Sequence, residues 1–251
     1  MEFISLLFLA ALVGLLVGIT GIGGILLIPG IAMLGGLPTH EAMATALFSF
    51  ILVGISGTIS FQRNGGIDWS MALPLSLGGG IFSALGAWAN IYVSAPPLNC
   101  ILGLVILFAG CNALRPRTAL GKPWAPTSPH RTKLLFGIGA CTGFVAGLTG
   151  VGGPVLSIPF MIILGFQPIV GIVCAMPYQI ATALTGSLSN YLHGTINFAV
   201  GLPVSVAEVT GILVGTSLAR RTSAKILRLA IGIICLVVGA FVLVKALAQY
   251  F

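Results

Sequence analysis

Long uncharged or nearly uncharged stretches alternate with short polar joints along the whole chain. These stretches cover about residues 3–34, 42–60, 69–92, 97–113, 134–164, 172–192, 198–219 and 226–248. A hydrocarbon core about 30 Å thick needs roughly 20 apolar residues in a helix that crosses it. The pattern therefore predicts an all-α integral membrane protein with about eight hydrophobic segments.

Composition supports this prediction. Of 251 residues, 57% are hydrophobic and only 6% are charged, whereas about a quarter of the residues of soluble domains are charged. The N-terminal MEFISLLFLAALVGLLVG lacks a basic region and a small-residue cleavage pattern, so we expect it to remain in the mature protein. The five cysteines lie in apolar stretches without a CxxC pair. We therefore expect neither a disulfide framework nor a metal site, and no cofactor.

The two halves of the chain repeat each other. GLLVGITGIGG at Gly14–Gly24 matches GFVAGLTGVGG at Gly143–Gly153, and GGIDWSMALP later in the first half aligns with GTINFAVGLP in the second. Internal repeats of this kind define the organisation of a chain. We divide it into an N-terminal transmembrane repeat (1–113), a basic linker (114–133) and a C-terminal transmembrane repeat (134–251).

The first stretch of each half is interrupted by glycines. A continuous helix over residues 3–34 would be about 48 Å long, well beyond the hydrocarbon thickness. Its middle reads GITGIGGILLIP at Gly18–Pro29. We therefore predict that each of these stretches is a hairpin or re-entrant pair of helices, with the second arm beginning near Ile25 in one half and at Pro154 in the other.

Basic residues indicate how the halves are oriented. The net charge is +7, and Lys and Arg cluster in the linker and at Arg220–Arg228. Such clusters are typical of cytoplasmic loops. Eight simple crossings would place the two clusters on opposite faces, whereas a reversal at the glycines places them on one. We predict two inverted repeats with outside termini, each with three full transmembrane helices plus a broken or re-entrant pair, up to ten helices in all; eight plain spans are the alternative.

The glycine breaks are candidate anion sites. Unwound backbone inside a membrane survives only where it is buried in protein or lines a wet cavity, and the N–H groups that open the next helix favour an oxyanion. The alternatives are close helix packing, which we expect of Gly14, Gly18, Gly143 and Gly147, and interhelical hydrogen bonds. The predicted substrate-binding residues are Thr20, Gly21, Gly23, Gly24, Thr149, Gly150, Gly152, Gly153, Gln179, Asn190 and Tyr191.

One carboxylate lies within a hydrophobic segment. Glu208 is near the centre of PVSVAEVTGILVG, and its counterpart in the other half is Gly79. A charge inside the membrane is costly and is a functional hypothesis by default. We predict that Glu208 carries a proton that is coupled to transport; a structural hydrogen bond to a neighbouring helix is the alternative.

With these motifs assembled, the sequence resembles the TauE/SafE family, also called the 4-toluene sulfonate uptake permease family. The resemblance rests on the doubled glycine motif, on Asn190-Tyr191-Leu-His-Gly194 ahead of Ile196-Asn197, and on Gly211-xxx-Gly215. It implies a secondary carrier of the inner (cytoplasmic) membrane that exports sulfite or organosulfonates by alternating access. Glu208 departs from the family pattern, which keeps small residues at this position.

Other function classes remain to be separated. A passive anion channel, or a carrier of thiosulfate or a carboxylate, would fit the same composition. An enzyme is not expected, because the sequence has no HExxH, GxSxG or Walker motif. The expected partners are a small anion such as sulfite or a sulfonate and the lipid bilayer, with a second copy of the chain as a candidate and no nucleic acid.

Overall fold

The chain folds into α-helices joined by short connections. The computed structural model describes residues 2–63, 66–114, 129–164, 166, 168–193, 195–218 and 224–248. Within these ranges there are ten α-helices and no strand. The helices are α1 Glu2–Thr20, α2 Leu27–Leu34, α3 Thr39–Arg63, α4 Trp69–Asn90, α5 Ala95–Leu114, α6 Pro129–Thr149, α7 Pro154–Ile163, α8 Pro168–Leu192, α9 Phe198–Leu218 and α10 Ala224–Leu247.

Seven of the described helices are long and apolar enough to cross a membrane, namely α1, α3, α4, α5, α6, α8 and α9. The prediction of an all-α integral membrane protein is therefore confirmed. Residues 115–128 of the linker and residues 219–223 of the second basic joint lie outside the described residues. The linker boundaries and the membrane side of these basic clusters stay predictions.

The first hydrophobic stretch of each half is broken at its glycines. The chain leaves α1 after Thr20, makes a short 3₁₀ turn and returns as α2. Gly30 of α2 lies against the side chain of Leu9, and Gly35 lies against Leu6, so α2 runs back along α1. A single long helix over this stretch is therefore excluded.

The second half repeats this break. α6 ends at Thr149 and α7 begins at Pro154, the residue predicted to open the arm. Proline suits the first turn of a helix because an N–H there would have no partner within the helix. In the first half the 3₁₀ turn at Gly24–Leu26 precedes the α-helix, so the arm there starts close to the expected Ile25.

The first helix of each half packs along a helix of the other half through glycines. A β-carbon on Gly14 of α1 would overlap the backbone of Glu208 in α9, and one on Gly143 of α6 would overlap the backbone of Gly79 in α4. Small residues let helix backbones approach this closely. The close-packing role expected for these two glycines is confirmed.

The contacts also give helix directions. α1 and α9 run parallel, because Gly14 faces Glu208 and Gly18 faces Ile212. By the same reasoning α9 runs parallel to α3. Helices α6 and α8 both run parallel to α4, whereas α3 runs antiparallel to α8. It follows that α1 and α6 run in opposite directions. Inverted repeats require this relation, and the inversion across the membrane stays a prediction that it supports.

The glycine contacts predict a large effect of added bulk. We expect Gly211→Val to lower the thermal unfolding midpoint of the detergent-purified protein, because the β-carbon would overlap the backbone carbonyl of Ala11. Overpacking of this kind costs about 1–3 kcal/mol. Gly137→Val is the matched control, since a β-carbon there meets nothing within 4 Å. Equal midpoints for the two variants would contradict the packing described here.

Candidate functional site

The two glycine breaks face each other across one small space. Its volume is about 10 Å³, which is room for about one water molecule. Both halves of the chain contribute to its wall, and in this conformation the space is too small for a polyatomic anion. The lining residues are Val17, Gly21, Gly24, Phe50, Val151, Gly152, Pro154, Val155 and Gln179.

Three glycines of the breaks adopt backbone angles that other residues rarely use. The φ angles are 72° at Gly21, 70° at Gly150 and 79° at Gly152. The left-handed region is open to glycine without a steric penalty. At Gly150 the space is also restricted, because a β-carbon would overlap the backbone carbonyl of Met43. Both the conformation and the surroundings of this break therefore require glycine.

Some of the backbone amides at the breaks already have partners. The N–H of Gly21 donates to the carbonyl of Val17, and that of Gly150 donates to Ala146, each at 2.8 Å. These bonds close the ends of α1 and α6. The N–H of Leu27, the first residue of α2, already donates to the carbonyl of Gly24. The first N–H groups of a helix have no partner within it, so the amides that open the 3₁₀ turn before α2 and those just after Pro154 in α7 are the better candidate donors to an anion.

The two threonines of the motif cap their own helices. The Thr20 hydroxyl lies 2.8 Å from the carbonyl oxygen of Leu16 and accepts from the N–H of Ile22 at 3.1 Å. Thr149 donates to the carbonyl of Val145 at 2.7 Å. Local bonds of this type use the hydroxyl hydrogen. Donation from these threonines to an anion stays a prediction that requires the hydroxyl groups to turn.

Of the three polar residues predicted on α8, the structure brings Gln179 to the breaks. Gln179 is buried and lines the space between them. Tyr191 is 60% exposed, and its ring packs edge-on against Phe198. Asn190 is buried at the end of the helix, where its backbone carbonyl accepts a hydrogen bond from the N–H of Thr195. Neither Asn190 nor Tyr191 lines the space between the breaks.

Phe50 is a site residue that the sequence did not single out. Its side chain is buried and lies between the breaks. A β-carbon on Gly24 would be 2.7 Å from its Cζ, and one on Gly152 would be 3.0 Å from its Cδ2. The available signal was the repeat alignment, which pairs Ser49-Phe50 with Gln179 and its neighbour Ile180.

Asn90 was also missed. Its side-chain amide donates to the carbonyl of Leu148 at 2.6 Å, and its Oδ1 lies 2.8 Å from Nδ1 of His40. Leu148 immediately precedes the second break, so these bonds tie the end of α6 to α4 and α3. Asn90 is therefore a positioning residue for the break.

Glu208 lies in the protein interior with 0% exposure. Neither carboxyl oxygen has a hydrogen bond within the described part of the chain. The Ser49 hydroxyl of α3 is its polar neighbour, but this hydroxyl donates to the carbonyl of Ala46 at 2.9 Å. A hydroxyl group rotates, so Ser49 can turn from Ala46 to donate to the carboxylate, or it can accept from the carboxyl group when that group is protonated.

Taken together, the fold and the breaks define a class: multi-pass helical membrane proteins with discontinuous helices that meet in the interior, a plan that recurs in transporters. The pattern described as "Sulfite exporter TauE/SafE" matches residues 6–242. The chain belongs to this family.

The curated relatives are membrane transporters by name. The chain is 22% identical to "Probable membrane transporter protein YunE" of Bacillus subtilis (95% of this chain, 96% of that protein). It is 25% identical to a "Probable membrane transporter protein" of Xylella fastidiosa (95% and 94%), and 27% identical to YfcA of Escherichia coli, which carries the same description (97% and 90%). No solved structure matches the chain.

Proposed function

We propose that this protein is a secondary active transporter of the cytoplasmic membrane that exports small sulfur-containing anions, sulfite or organosulfonates. The observation that carries the proposal is the small space, about 10 Å³, that the glycine breaks of the two halves share. Membership of a family described by sulfite export supports the substrate class. Discontinuous helices that meet between repeats form the substrate sites of many transporters.

The chemistry of the space suits an anion held by amides. The 3₁₀ turn that begins at Gly24 and leads into α2 opens beside it, as does α7 at Pro154, and helix N-termini carry partial positive charge. Gln179 adds a side-chain amide, and the residues that line the space include no charged side chain. An oxyanion would therefore be recognised by hydrogen-bond donors and helix dipoles rather than by Lys or Arg.

The closed state is consistent with alternating access. One break belongs to each half, and the volume between them is too small for the proposed anion in this conformation. Rocking of the α1–α2 hairpin opens the space on one side, and the equivalent movement of α6 and α7 opens it on the other.

Glu208 is the proposed proton carrier. Its carboxyl group is buried and has no hydrogen-bond partner among the described residues, and a buried charge without a partner is costly. The helices packed against α9 bring no charge close to it: within α1 the charged residue is Glu2, and within α3 the titratable residues lie at the ends, at His40, Glu41 and Arg63. No charged residue of α1 or α3 therefore lies close enough to Glu208 to influence proton binding there.

The proposal is tested with a panel of anions on the purified full chain. Sulfite, two organosulfonates, thiosulfate and a dicarboxylate are compared for their effect on the thermal unfolding midpoint and then for flux into liposomes. We expect stabilisation and saturable flux with sulfite or a sulfonate. Stabilisation by thiosulfate or the dicarboxylate alone would overturn the substrate class, and flux that does not saturate would favour a channel.

A further inference from the structure

The Phe50 ring occupies the point where the two breaks meet. It lies within contact distance of the position of a β-carbon on Gly24 from one break and on Gly152 from the other. Its side chain is 1% exposed. Because both neighbours are glycines, the ring fits into a slot with no side chain on either facing position, and Phe50 of α3 lies between Gly24 of one break and Gly152 of the other.

The space that remains beside the ring is too small for a substrate. With Phe50 in place its volume is about 10 Å³, which accommodates about one water molecule. A sulfite ion has four heavy atoms and a sulfonate has more, so neither can bind between the breaks while the ring is there. An anion can reach the amides of both breaks only after the ring has moved.

The other side chains around the space are less able to open it. Pro154 is fixed by its own ring and by the start of α7. The valines at positions 17, 151 and 155 are small and stiff at χ1. Gln179 is polar and can itself contact the anion. Phe50 is the large apolar side chain of this lining, and rotation about its χ1 moves the whole ring.

We infer that Phe50 is the gate of the anion site: its ring blocks the space between the two glycine breaks and leaves when the anion enters. This inference rests on the proposed function. The glycines at positions 24 and 152 have a second role in this account, because they provide the slot in which the ring closes. Phe50 is then the residue that keeps anion movement dependent on the conformational cycle.

The test is Phe50→Ala, with Phe50→Leu as a milder variant and Phe48→Ala as the matched control. Phe48 lies on the same helix, but its ring packs against Phe198, with centroids 5.2 Å apart. Each variant is placed in liposomes, and downhill sulfite flux is measured at equal pH on both sides. The thermal unfolding midpoint is measured in parallel, because loss of a buried ring also lowers stability.

We expect downhill sulfite flux through Phe50→Ala, measured without a pH gradient, to be at least about tenfold above wild type. The reason is that an open state that was a minor population becomes dominant. The flux through Phe50→Leu should lie between those of Phe50→Ala and wild type, and the flux through Phe48→Ala should match that of wild type. Wild-type rates in both Phe50 variants, whatever their stability, would overturn the gate. If Phe50→Ala does not fold, a wild-type rate in Phe50→Leu overturns it. Absence of flux in wild type and in every variant instead overturns the proposed function.

Discussion

Glu208→Gln is expected to abolish accumulation of the anion driven by a pH gradient while leaving a folded protein. A gradient of one pH unit supports about tenfold accumulation at one proton per anion, since 1.36 kcal/mol corresponds to a factor of ten. Glutamine cannot carry the transported proton, so the accumulation ratio should fall to one. Among the described residues neither carboxyl oxygen of Glu208 has a hydrogen-bond partner, so glutamine, which has nearly the same size, breaks no hydrogen bond there.

The measurement is uptake of labelled sulfite into liposomes with and without an imposed pH gradient, together with the thermal unfolding midpoint. Glu41→Gln is the control, because Glu41 lies in the first turn of α3 and not in the interior. Anion exchange at equal pH should persist in Glu208→Gln, since its site between the breaks is unchanged. A variant that still accumulates sulfite to the wild-type ratio would exclude the proton-carrier role.

The second large effect is expected at the glycine breaks. Gly150→Ala should lower the unfolding midpoint and reduce sulfite transport below detection. The φ of 70° costs an alanine about 1–2 kcal/mol, and the new methyl group would also overlap the carbonyl of Met43. Since the backbone at position 150 opens the second half of the proposed anion site, a displacement there would move the amides that we propose face the substrate.

Gly36→Ala is the control that separates the backbone penalty from the overlap with Met43. Its φ is 66°, so the backbone penalty is the same, but a β-carbon there meets nothing within 4 Å. We expect a modest loss of stability and normal transport from this control. Thermal scanning and liposome flux of the two variants side by side provide the comparison. Equal losses in both variants would mean that the contact with Met43 has no part in positioning the break.

The sequence predicted the fold well because its strongest features are long and repeated. A stretch of 32 residues cannot be one crossing helix, and the same glycine motif in both halves placed the two breaks at residues where the structure interrupts the helices. Pro154 marked the start of α7 for a local reason, the missing N–H. These inferences need only chain geometry and the bilayer thickness.

The candidate site was less predictable, because burial and facing depend on packing. Phe50 lies in a helix where nearly every neighbour is apolar, so apart from its place beside the Gln179 position in the repeat alignment, the sequence does not distinguish a ring between the breaks from a core residue. Tyr191 appeared as a polar donor in a hydrophobic span, but its position on α8 points it to the outside. Glu208 was identifiable because a carboxylate is rare in such a segment.

The central claim is that this chain moves an anion against its gradient through the space between the two breaks. The most direct measurement is the internal concentration of labelled sulfite in liposomes that contain the purified wild-type protein and an imposed pH gradient. We predict accumulation above the external concentration and its collapse when a protonophore removes the gradient. Entry that stops at equal concentrations on both sides, whether or not the gradient is present, would contradict the claim.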